Sequence, residues 1–162
     1  VTIDLDNAND IHPPNKIDVG ERLALWPLAK LYGKKVAFSG PLFRDAKIRD
    51  SEVVVRFDYA KEGLMAGRIE GVGKIVEVKD GILHGFELVG EDGVWHPAKA
   101  KVNARTVLVK SLSVKEPVAV RYACHPEARK DRPWNLYNMS GLPASPFCSD
   151  WSKMPYDPAK NP

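Results

Sequence analysis

"SEVVVRFDYA", residues 51–60, sets β-branched and aromatic residues in alternation with charged ones. A period of two is the mark of a half-buried strand. The same reading extends outward from it. "KKVAFSG" (34–40) and "DAKIRD" (45–50) precede it; "GKIVEVKDG" (73–81), "HGFELVG" (84–90), "HPAKAKVNARTVLVK" (96–110) and "EPVAVRYACH" (116–125) follow. Asp92-Gly93 is a strong hairpin signal, because the turn that matches strand twist favours glycine. Short strands at regular spacing, parted by Gly, Asp and Asn, predict an antiparallel β-sandwich over residues 41–123.

Upstream of Gly33 the period is helical. A helix is expected over 16–32, with Asp18 as N-cap and Glu21 in the capping-box position. Leu23, Leu25, Trp26, Leu28, Ala29 and Tyr32 give it a broad apolar face. Gly33 is a natural stop. Pro27 removes one hydrogen bond, so a bend is expected there. Val1, Ile3 and Leu5 alternate as in a buried strand, and residues 6–15 form a loop. A chain that opens inside a strand reads as a piece of something longer. The Pro-rich tail, 124–162, lacks either period but is rich in aromatics, so it is expected to be extended and packed across a surface. The organisation is therefore mainly β in three parts: 1–40 (strand, loop, helix), 41–123 (sandwich) and 124–162 (tail).

Bulk composition excludes several classes. Hydrophobic residues are 44% and charged residues 28%, which is globular rather than disordered. No apolar run approaches the roughly 20 residues of a membrane span. The net charge of +3 is small and interleaved, so no nucleic-acid partner is expected. Four scattered histidines and two distant cysteines, Cys124 and Cys148, give no metal-ligand spacing. Neither a metal nor a cofactor is expected. Two cysteines allow one disulfide or two separate thiols. Asn138-Met139-Ser140 fits a glycosylation sequon, a pattern common by chance.

The chemistry concentrates in "NDIHPPNK", residues 9–16. His is the usual general base at neutral pH because its ordinary pKa lies near about 6.5. A serine hydrolase needs such a base, and an acid to orient its ring. Pro13 and Pro14 fix φ and stiffen the corner that carries His12, with Asp10 two residues before it. A His between Asp and Pro in a loop is otherwise simply an exposed residue.

The stretch "VTIDLDNANDIHPPNKIDVGERLA" (1–24), then "AKLYG" (29–33), resembles the end of the esterase domain of sialate O-acetylesterases, in the SGNH/GDSL hydrolase superfamily. "PVAVRYA" (117–123) and "NLYNMSGLPASPF" (135–147) resemble that family's carboxyl-terminal region. The likeness runs in order from residue 1 to about 151. It implies a hydrolase that removes O-acetyl esters from sugars, typically sialic acid, with a Ser nucleophile and a His base. His12 matches the family's catalytic His in the "IHP" motif. The superfamily spacing is Asp-x-x-His, whereas Asn9 stands three before His12; Asp10 is the candidate acid, with Asp4 or Asp6 as further candidates. No "GDS" or "GQSN" occurs in the chain. The expected partners are an O-acetylated sugar and an amino-terminal esterase body that supplies the nucleophile. The resemblance also implies a secreted, periplasmic or lysosomal setting. A reading of another class stands beside it: a non-catalytic β-sandwich module that binds glycan or supports a neighbouring domain.

Overall fold

The computed structural model describes residues 1–5, 12, 14–124 and 134–154. Among them the chain forms one α-helix, α1 (Lys16–Lys30), and twelve strands. These are β1 (Leu42–Arg49), β2 (Glu52–Asp58), β3 (Leu64–Ile69), β4 (Ile75–Glu77), β5 (Ile82–Leu83) and β6 (Phe86–Val89). Then come β7 (Trp95–Pro97), β8 (Lys99–Asn103), β9 (Thr106–Lys110), β10 (Ala119–Tyr122), β11 (Leu136–Asn138) and β12 (Phe147–Cys148). The fold is mainly β, and every strand pairing is antiparallel.

Three sheets result, in the orders β1-β2-β9-β8-β5, β12-β10-β6-β7 and β11-β3-β4. They share one core. Val53, Val55, Val107 and Val109 from the first sheet meet Leu88, Val120, Tyr122 and Phe147 from the second and Leu64, Ala66 and Leu136 from the third. The alternation of "SEVVVRFDYA" is what fills it: Val53, Val55 and Phe57 are buried and Glu52, Val54 and Arg56 less so. The Asp92-Gly93 turn forms as read. Gly93 takes φ +73°, and its N–H donates to Gly90 O as β6 turns back into β7.

Two expected strands do not form. Residues 34–40 have the alternation but pair with no strand. Their groups are used otherwise: Phe38 wedges between Trp26 and Tyr59, at centroid distances of 4.9 and 5.3 Å. Residues 1–5 are a turn instead, closed by Leu5 N–H to Thr2 O at 3.0 Å. Conversely, β3 went unread because Leu64, Met65, Ala66 and Gly67 are all buried, so its sequence does not alternate.

The tail is packed as expected, and parts of it form strands. It supplies β11 to one sheet and β12 to another. Phe147 stacks on Phe43 at 4.6 Å and meets Phe57, Phe86 and Tyr122 in edge or tilted contacts. Asn138 is 4% exposed, and its amide donates to Ser39 O and Tyr59 O, each at 3.0 Å. That leaves no amide for a sugar, so the sequon is inert in the fold. Residues from 155 onward lie outside the described ones.

The tail is pressed hardest at Gly40. A Cβ there would lie 1.9 Å from Pro143 O, which is backbone and has no rotamer to yield. Gly40→Ala is expected to cost at least about 1–3 kcal/mol by overpacking. Gly20, inside α1, has nothing within 4 Å of such a Cβ. Gly20→Ala should instead stabilise by roughly 0.4–1 kcal/mol. Urea unfolding of both variants checks the pair: the midpoints should move in opposite directions at constant m.

Candidate catalytic loop and its supports

The loop that carries His12 ends at a helix cap. Asn15 is the N-cap of α1; its side chain accepts from Asp18 N–H at 3.1 Å and donates to Asp18 Oδ2 at 2.7 Å. This corrects the sequence reading by three residues. Asp18 is not the cap but the third helical residue, and its carboxylate is drawn back onto Asn15. Pro14 O accepts from Lys16 N–H at 3.0 Å, so Pro14 leads directly into the first turn. At the far end Gly33 takes φ +63°, and Lys34 N–H reaches Leu28 O at 2.9 Å. Pro27 lies inside the helix, and its carbonyl accepts from both Leu31 and Tyr32.

His12 is exposed, on a bend three residues before the cap. Asp10 and Asp6, candidate acids for it, lie outside the described residues. Asp4, the third candidate, is committed elsewhere. Its side chain is 2% exposed, and Arg22 grips it with two bonds of 2.6 and 2.8 Å. Tyr137 Oη donates to the same carboxylate at 2.8 Å, and Arg22 also donates to Val1 O at 3.1 Å. Three parts of the chain meet here: the start, the helix and β11. None of these three residues announces the contact in sequence, since Asp4 and Tyr137 are 133 positions apart.

The electrostatics follow from burial. Burial pulls the Arg22 guanidinium down, but the Asp4 carboxylate outweighs it, so the group stays charged. Burial first, and the Asp4 charge second, push the Tyr137 phenol far above the tyrosine range. Tyr122 is raised chiefly by burial; its oxygen accepts from Leu136 N–H at 3.2 Å.

The remaining sequence signals are structural. His84 N–H donates to Asn135 Oδ1, and His96 lies 3.9 Å from Asp92. His125 lies outside the described residues. Cys124 and Cys148 are free thiols. β12 does return beside β10, pairing Arg121 with Cys148, so the tail comes back as required, but by strand pairing and not by a bridge. Each thiol instead faces a carbonyl, Phe147 O for Cys124 and Asp150 O for Cys148, each at 3.1 Å. Burial raises both thiols above their ordinary value. No group of three or more ligating side chains gathers among the described residues. None of their helices is long and apolar enough to cross a membrane.

One feature escaped sequence reading altogether. A cavity of about 340 Å³ opens between the first turns of α1, the β3–β4 loop and residues 139–142, and Asp18 and Glu21 line it. A carboxylate read as a cap gives no hint that it faces a cavity.

No family model matches the chain, and no curated protein matches it. Among solved structures, the chain is similar to a carbohydrate acetylesterase from Xanthomonas citri, with 36% identity and a TM-score of 0.74. The likeness covers 91% of this chain and 31% of that one. The chain thus spans about a third of the enzyme it matches.

Two predictions rest on these burials. Tyr122 and Tyr137 should not titrate near about pH 10, where a free phenol does. Their folded values are raised, so the stability they contribute is intact below the unfolded value and is lost as pH climbs toward the folded ones. Absorbance at the phenolate band should therefore show these two ionising only with alkaline unfolding. For the cysteines, the unfolded, unreduced protein should yield two thiols. In the native state both should alkylate more slowly than a free thiol at the same pH; a mass two daltons low and no thiols would contradict the structure.

Proposed function

We propose that this chain is the carboxyl-terminal part of a carbohydrate O-acetylesterase and supplies its general base, His12. The likeness at 36% identity to a carbohydrate acetylesterase is the observation that carries this reading. The "NDIHPPNK" corner is the sequence feature that supports it. In this reading the Ser nucleophile and the oxyanion donors belong to an esterase body outside these 162 residues. His12 takes the proton of that Ser as it attacks the acetyl carbonyl, then returns it to the departing sugar oxygen. Asp10 orients the ring and stabilises imidazolium. The substrate class is an O-acetylated sugar; O-acetyl sialic acid is the member that the resemblance singles out.

The division of the chain at residues 40 and 123 belongs to the same proposal: 1–40 completes the esterase body, 41–123 is the sandwich and 124–162 wraps. Support comes from α1. Leu23 in the helix, and Leu31 and Tyr32 just after it, are 69%, 79% and 72% exposed, a large apolar surface for a folded domain. Docking on the esterase body would cover it.

The test has two arms. Alone, residues 1–162 should hydrolyse p-nitrophenyl acetate no faster than a matched protein of similar His content. In the protein that carries the chain, His12→Ala should lower kcat on acetylated sugars by at least about 10³-fold. Asp10→Asn should lose less, and with the same KM. Turnover by the chain alone that serine-directed inhibitors abolish, or an active His12→Ala enzyme, would overturn the proposal.

A further inference from the structure

The alternation that builds the first sheet also sorts its charges. Val53, Val55, Val107, Val109 and Ala100 turn into the core, so the residues between them share the opposite face. Three acids lie on that face, and each is answered there: Asp45 by Arg56 at 2.6 Å, Glu52 by Lys110 at 3.4 Å and Asp58 by Arg44 at 4.0 Å. Four further cations are exposed and have no acid within ion-pair distance among the described residues: Lys47, Arg49, Lys99 and Lys101. Seven cations against three acids give this one face a surplus of four, while the whole chain has a surplus of three. Charge that is interleaved along the sequence is segregated by the fold.

The four cations stand as two pairs. Lys47 and Arg49 lie on β1, the edge strand; Lys99 and Lys101 lie on β8, with β2 and β9 between. The register aligns them. Lys47, Val54, Leu108 and Lys101 form one cross-strand row, and Arg49, Glu52, Lys110 and Lys99 form the next. By strand geometry the two pairs are about 14 Å apart, and the members of each about 7 Å apart. The arrangement is not the most stable available. Lys99 stands directly opposite Lys110, and like charges so placed destabilise a sheet. A run of negative charge laid on the face relieves that repulsion.

Such a partner is anionic and long. One exposed ion pair adds little, so a small acid at one corner is not held. A polymer that reaches several corners makes each later contact intramolecular. No aromatic side chain is among the outward residues of these four strands, so bases find nothing to stack on, and a broad sheet does not enter a duplex groove. Val54 and Leu108, the apolar side chains between the pairs, are half-buried, which leaves nothing to insert between lipids. Three of the four cations are lysines, a residue depleted in protein interfaces. On the carbohydrate reading above, the polymer that this protein meets is a polysaccharide. We infer that the outer face of β1, β2, β9 and β8 binds a linear polysaccharide bearing carboxylates at intervals, with those carboxylates on Lys47, Arg49, Lys99 and Lys101. The choice of polymer rests on that reading, but the binding needs neither His12 nor catalysis.

The experiment is a binding titration of the 162-residue protein with de-esterified polygalacturonate, its methyl-esterified form, monomeric galacturonate, phosphatidylserine-containing vesicles and duplex DNA. The acidic polymer should bind saturably at about 0.1 M salt and not at about 1 M, where charges are screened within about 3 Å. The esterified polymer and the monomer should bind at least about tenfold more weakly. Lys99→Gln with Lys101→Gln, and Lys47→Gln with Arg49→Gln, should each weaken binding about fivefold, the contribution of two exposed ion pairs. Lys34→Gln with Lys35→Gln removes the same charge from exposed positions off the face and should change binding by less than about twofold. No saturable binding of the acidic polymer overturns the inference. So does an equal loss in the Lys34 and Lys35 variant, equal binding of the esterified polymer, or tighter binding of the vesicles or DNA. Esterase activity is not the readout, so each of these outcomes leaves the esterase reading untouched.

Discussion

A buried carboxylate must be answered, and at Asp4 the answer organises the molecule. Desolvating one charge costs several kcal/mol, and breaking such a pair by removing one partner costs about 3–5 kcal/mol. Arg22 must therefore lie where it does, and so must the helix that carries it. Tyr137 closes the same carboxylate from β11, and β11 pairs with β3 inside the β-structure. The first residues, the helix and the tail are thus fixed to one another by a single charged contact. The apolar face of α1 does not do this, since Ile17 and Leu23 are exposed. Where helices usually attach through an apolar stripe, this one attaches through a salt bridge and the edge of Trp26 on Phe38.

The β-structure is held by ordinary means, and the tail shares in them. Phe147 sits among Phe43, Phe57, Phe86 and Tyr122, so a residue from the last segment fills the middle of the core. Asn138 reaches to Ser39 and Tyr59 from β11, and Pro143 presses on Gly40. Removing the tail would expose the core and orphan these carbonyls together. The sandwich and the tail that wraps it thus share one core.

Legibility followed pattern length. β2 and β9 could be read because one face is buried and the other is not. β3 could not, since both faces are covered. Residues 34–40 show that alternation is necessary but not sufficient: a strand also needs a neighbour, and no local pattern supplies one. The helix was read to within two residues, but its cap was misplaced because Asn15 and Asp18 are both good caps and only the geometry chooses. The proposal for His12 rests on its motif and the prolines after it. The Asp4–Arg22–Tyr137 contact was not legible, because its members are distant in sequence and each looks like an ordinary surface residue. The buried place of Asp18 was not either, since burial is a property of the fold.

The loop of His12 is bounded by two anchors. Before it, Leu5 is buried and its N–H is bonded to Thr2, while Asp4 is locked to Arg22. After it, Asn15 caps α1. Closing a loop between points already fixed costs little more for each added residue, and two prolines restrict what is left. A base must sit within hydrogen-bond reach of the proton it takes, and small misplacements cost large factors in rate. On the proposed reading, the salt bridge that attaches the helix therefore also limits where His12 can be. Arg22 then serves both neighbouring features at once: it holds the start of the catalytic loop through Asp4, and it sets the charge at the edge of the cavity that Asp18 and Glu21 line. A neutral substitute at Arg22 would release the first and leave Asp18 and Glu21 beside the second without a guanidinium next to them. Selection for either feature constrains the same side chain.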